Sequence, residues 1–268
     1  MDIKAVLEEL DRRYETDRES VESFLTGKIE EADREGDRES LVTLLNEGIG
    51  FFRDRSRFAE CRVCCARAVM ALQELEMEGT LPYATTLLNV ATADRAFNRL
   101  TEADQIYEEV LKIYEKRLAP SDYLYAALYN NIALLRQKQN RPDEARDLLA
   151  KALEIIREYP EAQIELATTL INAASVLLKT ENWKNAHIFI MEALGIFLPD
   201  KTDMFHYSMA LGVLAEYLYK LREYDEAEVI LITAMESLEK KMGKTADYKL
   251  LENNLRKLRK VKKGLVNG

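Results

Sequence analysis

NVATADRAFNRLTEADQIYEEVLKIY, residues 89–114, and NIALLRQKQNRPDEARDLLAKALEII, residues 131–156, carry matching residue types at matching offsets, 42 residues apart. Their small residues extend into a lattice along the chain. Cys61, Ala103, Ala145, Ala186 and Ala227 follow one another at intervals of 42, 42, 41 and 41. Seven residues after each stand Ala68, Val110, Ala152, Ala193 and Ala234, and twelve before the last four stand Ala91, Ala133, Ala174 and Ala215. Gly48 fills that place in the first repeat, with one extra residue in the turn. Seven residues is close to two helical turns, so each spaced pair lies on one stripe. Two antiparallel helices approach closely only where both present small side chains, and this lattice supplies them. Leu87, Val90, Ile106 and Tyr107 in one repeat, and Leu211, Leu214, Ile230 and Leu231 in another, supply the remaining core.

The rest of the chain agrees with helix. Leu, Ala, Glu, Lys and Arg fill long runs between only 5 prolines and 10 glycines. Pro82, Pro120, Pro160 and Pro199 recur at intervals of 38, 40 and 39, where one repeat should stop and the next begin. Inside the repeats, Thr101 and Asp225 read as N-caps and Pro142 as a first helical residue. The spacing predicts helix pairs at 38–54/57–75, 81–97/101–118, 122–138/142–157, 161–179/183–197 and 203–221/225–241. Residues 1–37 read as a degenerate pair, with Ser20 and Gly27 standing 41 before Cys61 and Ala68. Residues 38–241 hold five clear repeats, and 242–268 a basic capping helix. The fold class is an all-α solenoid of antiparallel helix pairs.

The two quoted segments resemble the tetratricopeptide repeat family, and the resemblance covers roughly residues 38–241. A period of 41–42 is longer than the family's basic unit and resembles its kinesin light chain variety. The first repeat departs from the pattern at Gly48 and at Cys61, which stands for alanine. The resemblance implies a right-handed superhelix whose first helices line a concave groove for peptides.

On those first helices, two residues before each small residue, stand Asn46, Asn89, Asn131, Asn172 and finally Val213. Seven residues further come Arg53, Ala96, Lys138, Lys179 and Lys220, and the same face takes Thr85, Thr92, Thr168 and Ser175. With Arg95 from the second repeat, these residues form the candidate peptide site: an amide ladder with a basic margin. An asparagine amide both donates and accepts, so it can pair with an extended backbone whatever the side chains. The alternative is that the amides bond neighbouring helices and stiffen the stack. The expected ligand is a protein or extended peptide with acidic and apolar side chains.

Other function classes find little support. A net charge of −9 argues against a nucleic-acid partner. No apolar run approaches a membrane span of about 20 residues, and MDIKAVLEEL at the start is too charged for a secretory signal. Cys61, Cys64 and Cys65 are odd in number and clustered, which fits a reducing, cytoplasmic compartment rather than a disulfide framework. On a helix, Cys61 and Cys65 fall on the core side and pack as small hydrophobes. His187 and His206 flank no recognisable nucleophile. The reading is a non-catalytic adaptor without cofactor or metal; a peptide-sensing regulator is the alternative. Residues 1–40 hold 14 acidic and 7 basic side chains, residues 238–268 hold 3 and 10. Solvated end caps explain this, and head-to-tail self-association is the sharper alternative.

Overall fold

Residues rich in helix formers, interrupted at regular intervals, give helices of regular length. The computed structural model describes residues 1–197 and 204–266, and among them the chain forms thirteen α-helices. These are α1 (Ile3–Thr16), α2 (Arg18–Glu35), α3 (Arg38–Asp54), α4 (Phe58–Glu74), α5 (Leu81–Ala96), α6 (Leu100–Arg117), α7 (Tyr123–Lys138), α8 (Pro142–Ile156), α9 (Gln163–Lys179), α10 (Trp183–Phe197), α11 (Met204–Lys220), α12 (Tyr224–Met242) and α13 (Ala246–Val266). They form two compact units, residues 1–119 and 120–268. Within each unit consecutive helices pair, each second helix touches the next first helix, and first helices touch one another. That is the connectivity of a stack of helix pairs. Pro199 and residue 203 of the expected fifth pair lie outside the described residues.

The small-residue lattice is the inter-helix contact. Gly48 and all fourteen other lattice residues, from Cys61 to Ala234, are buried. The space at Gly48 is tight, since a Cβ there would stand 2.9 Å from the Cys64 sulfur. In unit 1 the lattice lies against Leu44, Leu45 and Ile49, and in unit 2 against Leu149, Leu170 and Leu178. Cys61 and Cys64 are buried and Cys65 half-buried. Burial pushes the Cys64 thiol up to about 11, and a hydrogen bond with Cys61, together with burial, raises Cys65 as well. The Cys64 and Cys65 thiols are therefore protonated packing groups at neutral pH.

Two expectations about helix ends need correction. Thr101 and Asp225 are not caps; each is the second residue of its helix, and Arg99 and Glu223 occupy the cap positions. The reason is a turn motif. Ser56, Asn98, Asn140, Glu181 and Arg222 all take a positive φ of 58–66°. After each, a backbone N–H reaches back to the carbonyl five residues earlier, as from Arg99 to Asp94 and from Glu223 to Leu218. This Schellman closure uses one left-handed residue and lets the next helix begin almost at once. Pro82 likewise sits inside the first turn of α5 rather than before it, where its missing N–H costs no helical bond. Pro142 is the first residue of α8, as its sequence position predicts.

Glu181 and Arg222 hold a left-handed conformation that costs an L-residue roughly 1–2 kcal/mol. Glycine removes that cost and adds some unfolded-state entropy. Glu181→Gly and Arg222→Gly are each expected to raise unfolding free energy by about 0.5–1 kcal/mol. Urea titration reads this directly, and a loss of stability in both would show the turn tolerates side chains without strain.

Candidate functional site

The asparagines are held differently in the two units. In unit 1, Asn46 of α3 donates its amide to the Val42 carbonyl (3.0 Å) and to Thr86 Oγ1 of α5 (2.9 Å). Asn89 of α5 donates back to Asn46 Oδ1 at 2.8 Å. Both are half-buried, and together they stitch α3 to α5. The chemistry here is acidic rather than basic. Glu47 follows Asn46, and burial together with the charge of Asp11 raises its carboxyl above the ordinary value. Arg53 is paired with Asp54 at 2.8 Å. Tyr14, its phenol pushed up to about 12 by burial, lies with its ring 6.5 Å from that of Phe51. Thr92 sits 3.2 Å from the Tyr107 hydroxyl of α6, its own partner helix. Arg95 is half-buried on α5.

In unit 2, Asn131 donates to the Ala127 carbonyl of its own helix at 3.0 Å. Asn172 of α9 reaches across to α7, but it meets Asn130 Oδ1 (3.0 Å) rather than Asn131. Lys179 does the same, donating to Gln137 Oε1 at 3.0 Å. Both contacts join residues 42 apart, whereas the small-residue lattice steps by 41 from Ala133 to Ala174. The paired register is therefore one residue off the lattice. Asn130 and Gln137 lie outside the 41-residue register of the ladder and are reached only by a 42-residue step. Lys138, Lys179 and Lys220 are exposed. Asn172 commits one donor to Asn130; among the described residues, its other N–H and its Oδ1 have no protein partner.

The structure thus brings Asn46 with Asn89, and Asn172 and Lys179 with α7. In each unit the amides do bond neighbouring helices, which preorganises the face and takes up part of their capacity. Among the described residues, no group of three or more His, Cys, Asp or Glu side chains is placed to hold a metal ion. No helix among them is long and apolar enough to cross a membrane. The histidines serve as flat packing groups, His187 stacked on Tyr217 at 5.0 Å and His206 against Phe197 at 6.2 Å.

Among curated protein sequences, none matches the chain. Among solved structures, BtubC from P. vanneervenii is 18% identical with a TM-score of 0.64, over 85% of this chain and 90% of that one. A Podosopora anserina kinesin light chain with nearly identical TPR-like repeats is 15% identical with a TM-score of 0.55, over 74% and 95%. NprR, solved in complex with its cognate peptide NprX, is 14% identical with a TM-score of 0.70, over 97% and 70%. At these identities the likeness is one of fold. Tetratricopeptide repeat profiles match residues 84–122, 124–198 and 208–247, together more than half of the sequence. With that match, the buried small-residue lattice and the stacked helix pairs, the chain belongs to the tetratricopeptide repeat family.

Proposed function

We propose that the chain is a non-catalytic adaptor that binds an extended segment of another polypeptide along the first-helix face of unit 2. The observation that carries this reading is the row of exposed cations, Lys138, Lys179 and Lys220, beside half-buried amides on an otherwise acidic protein. Hydrogen bonds to Asn130 and Gln137 hold Asn172 and Lys179 in place, so less side-chain freedom is lost on binding. Asn172 retains a donor and an acceptor for a ligand backbone. First helices stand ~10 Å apart and an extended chain advances ~3.3 Å per residue, so each first helix meets roughly every third ligand residue. The free thiols fit a reducing, cytoplasmic compartment. The fold likeness to NprR, whose structure holds its cognate peptide NprX, favours a second reading in which a bound peptide regulates the chain.

The test uses partners recovered by pull-down from the native cell. Lys138→Glu with Lys179→Glu is expected to weaken binding at least tenfold, and raised salt should weaken the parent in the same direction. Asn131→Ala with Asn172→Ala should weaken it several-fold, with circular dichroism confirming the fold because Asn172 also ties α9 to α7. If both folded variants bind as tightly as the parent, this face is not the site.

A further inference from the structure

The amide ladder has a further rung. Stepping by 41 from Asn131 gives Asn172, then Val213, then Asn254 on α13. At the lattice position two residues on, α13 carries Arg256 instead of a small residue, which hides the register in the sequence. Asn46, Asn89, Asn131 and Asn172 all donate to protein groups. Asn254 is exposed and makes no hydrogen bond within the described residues. The corresponding residue of α11 is Val213, which has no side-chain polar atom to offer it.

Beside Asn254 lies a cavity of about 320 Å³ between α11, α12 and α13. Its floor is apolar: Gly212 and Ala215 of α11, Leu231 of α12 and Leu258 of α13. Its rim is polar: Glu216 and Tyr219 on one side, Asn254 and Lys257 on the other. One end is closed where α13 presses on Gly212, whose missing Cβ would stand 2.9 Å from Leu251 Cδ2. Glu216 and Lys257 form no ion pair with each other or with any other described residue. The cavity is at the small end of the ~300–1,000 Å³ typical of ligand clefts, which suits one residue rather than a segment.

We propose that this cavity is an anchoring subsite for one apolar residue of a peptide ligand that bears a carboxylate beside it. The inference rests on the peptide-binding reading and names the subsite that reading lacks. An aliphatic side chain covers the floor of Ala215, Leu231 and Leu258. Lys257 donates to the carboxylate, and the exposed Arg256, Lys260 and Lys263 of the same helix add an anion-attracting field. Glu216 accepts the ligand's backbone N–H and repels a second carboxylate. The Asn254 amide pairs with the backbone, as its side chain is committed nowhere else. The carboxylate is a chain terminus or an acidic side chain, and the probes below separate the two.

The experiment is a ¹H–¹⁵N NMR titration of the full chain, with the Asn254 side-chain amide assigned through Asn254→Ala. N-acetyl-leucine is the minimal probe, with side chain, amide N–H and carboxylate in one molecule. It should shift the Asn254 amide with an affinity of about millimolar, as expected of so small a ligand. N-acetyl-leucinamide, lacking the carboxylate, and N-acetyl-alanine, lacking the side chain, should each bind about tenfold more weakly or worse. Lys257→Glu, at an exposed position, should cost N-acetyl-leucine about tenfold, and Asn254→Ala several-fold. If acetyl-Leu-Asp-amide binds at least as tightly as N-acetyl-leucine, the natural carboxylate is a side chain; if more weakly, a chain terminus. No shift at Asn254 with any probe, or equal binding of acid and amide, overturns the subsite. So does a native partner that is released by reversal of Lys138 and Lys179 but held by Asn254→Ala and Lys257→Glu; that result leaves the wider groove reading intact.

Discussion

Ala174→Leu is expected to destabilise unit 2 by about 3 kcal/mol or more, at the upper end of the range for overpacked cores. Ala174 is fully buried in the middle of α9, the helix with the most buried residues among those described. It shares one buried core with Ala133, Ala145 and Ala186, the lattice residues that let neighbouring helices approach. Added methylenes there cannot turn toward solvent, so helices held ~8–10 Å apart must separate or neighbours must leave their rotamers. Ala150→Leu, on the exposed side of α8, makes the same chemical change without that constraint and should stay within ±0.5 kcal/mol. Thermal unfolding should show the buried variant lower by roughly 6–12 °C, at about 2–4 °C per kcal/mol for a chain of this size. Equal melting of the two variants would mean that close packing at the alanines does not set the helix spacing.

The lattice was legible because it repeats: a small residue required by helix approach recurs wherever the approach recurs. Helix ends followed to within a residue or two for the same reason. What the sequence did not show has a local cause in each instance. The left-handed residue of each turn is Ser56, Asn98, Asn140, Glu181 or Arg222, and only asparagine among these favours that conformation. Tertiary geometry imposes it on the others, which displaced the expected caps at Thr101 and Asp225 by two residues. The amide ladder was legible as a row of residue types. Its bonding was not, because Asn172 turns to Asn130 rather than Asn131, a choice set by rotamer and helix rotation. The place of Asn254 in the register is not visible in the sequence, because it depends on α13 lying against α11. The charge asymmetry of the ends was plain, yet many acidic side chains near the start are engaged within unit 1. Arg67 spans Glu30 at 2.6 Å and Asp33 at 2.8 Å, and Arg38 bridges Asp33 and Glu74. Such pairing leaves less acidic surface for head-to-tail association than the sequence count suggests.

Removing residues 245–268 is expected to lower the apparent melting temperature by about 5–10 °C and to make the remaining chain prone to aggregate. Helix α13 buries Tyr248, Leu251, Leu255 and Leu258 in the core of unit 2. It also carries Arg259 and Lys262 to Glu228 of α12, holding that carboxylate below its ordinary pKa by hydrogen bonding, chiefly from Lys262. Arg259 is exposed, so its pairing contributes little beside the apolar burial. Truncation strips cover from Leu231 and Leu238, which are buried in the intact chain. A terminal repeat without a cap presents such a face to water, and like faces then find each other. A second variant separates docking from mere presence. Leu251→Asp with Leu258→Asp places two carboxylates in the apolar seam between α13 and the rest of unit 2, a cost far beyond what the contact can bear. Helix α13 can escape that cost by undocking, so the double variant should lose the docking energy and no more. Its melting temperature should therefore match that of the truncated chain within a few degrees. Hydrogen exchange should show α13 unprotected in the double variant while α7–α10 keep their protection. If the truncated chain melts and stays monodisperse like the parent, α13 does not stabilise unit 2, and its burial of Leu251, Leu255 and Leu258 serves only to place Asn254 and Lys257.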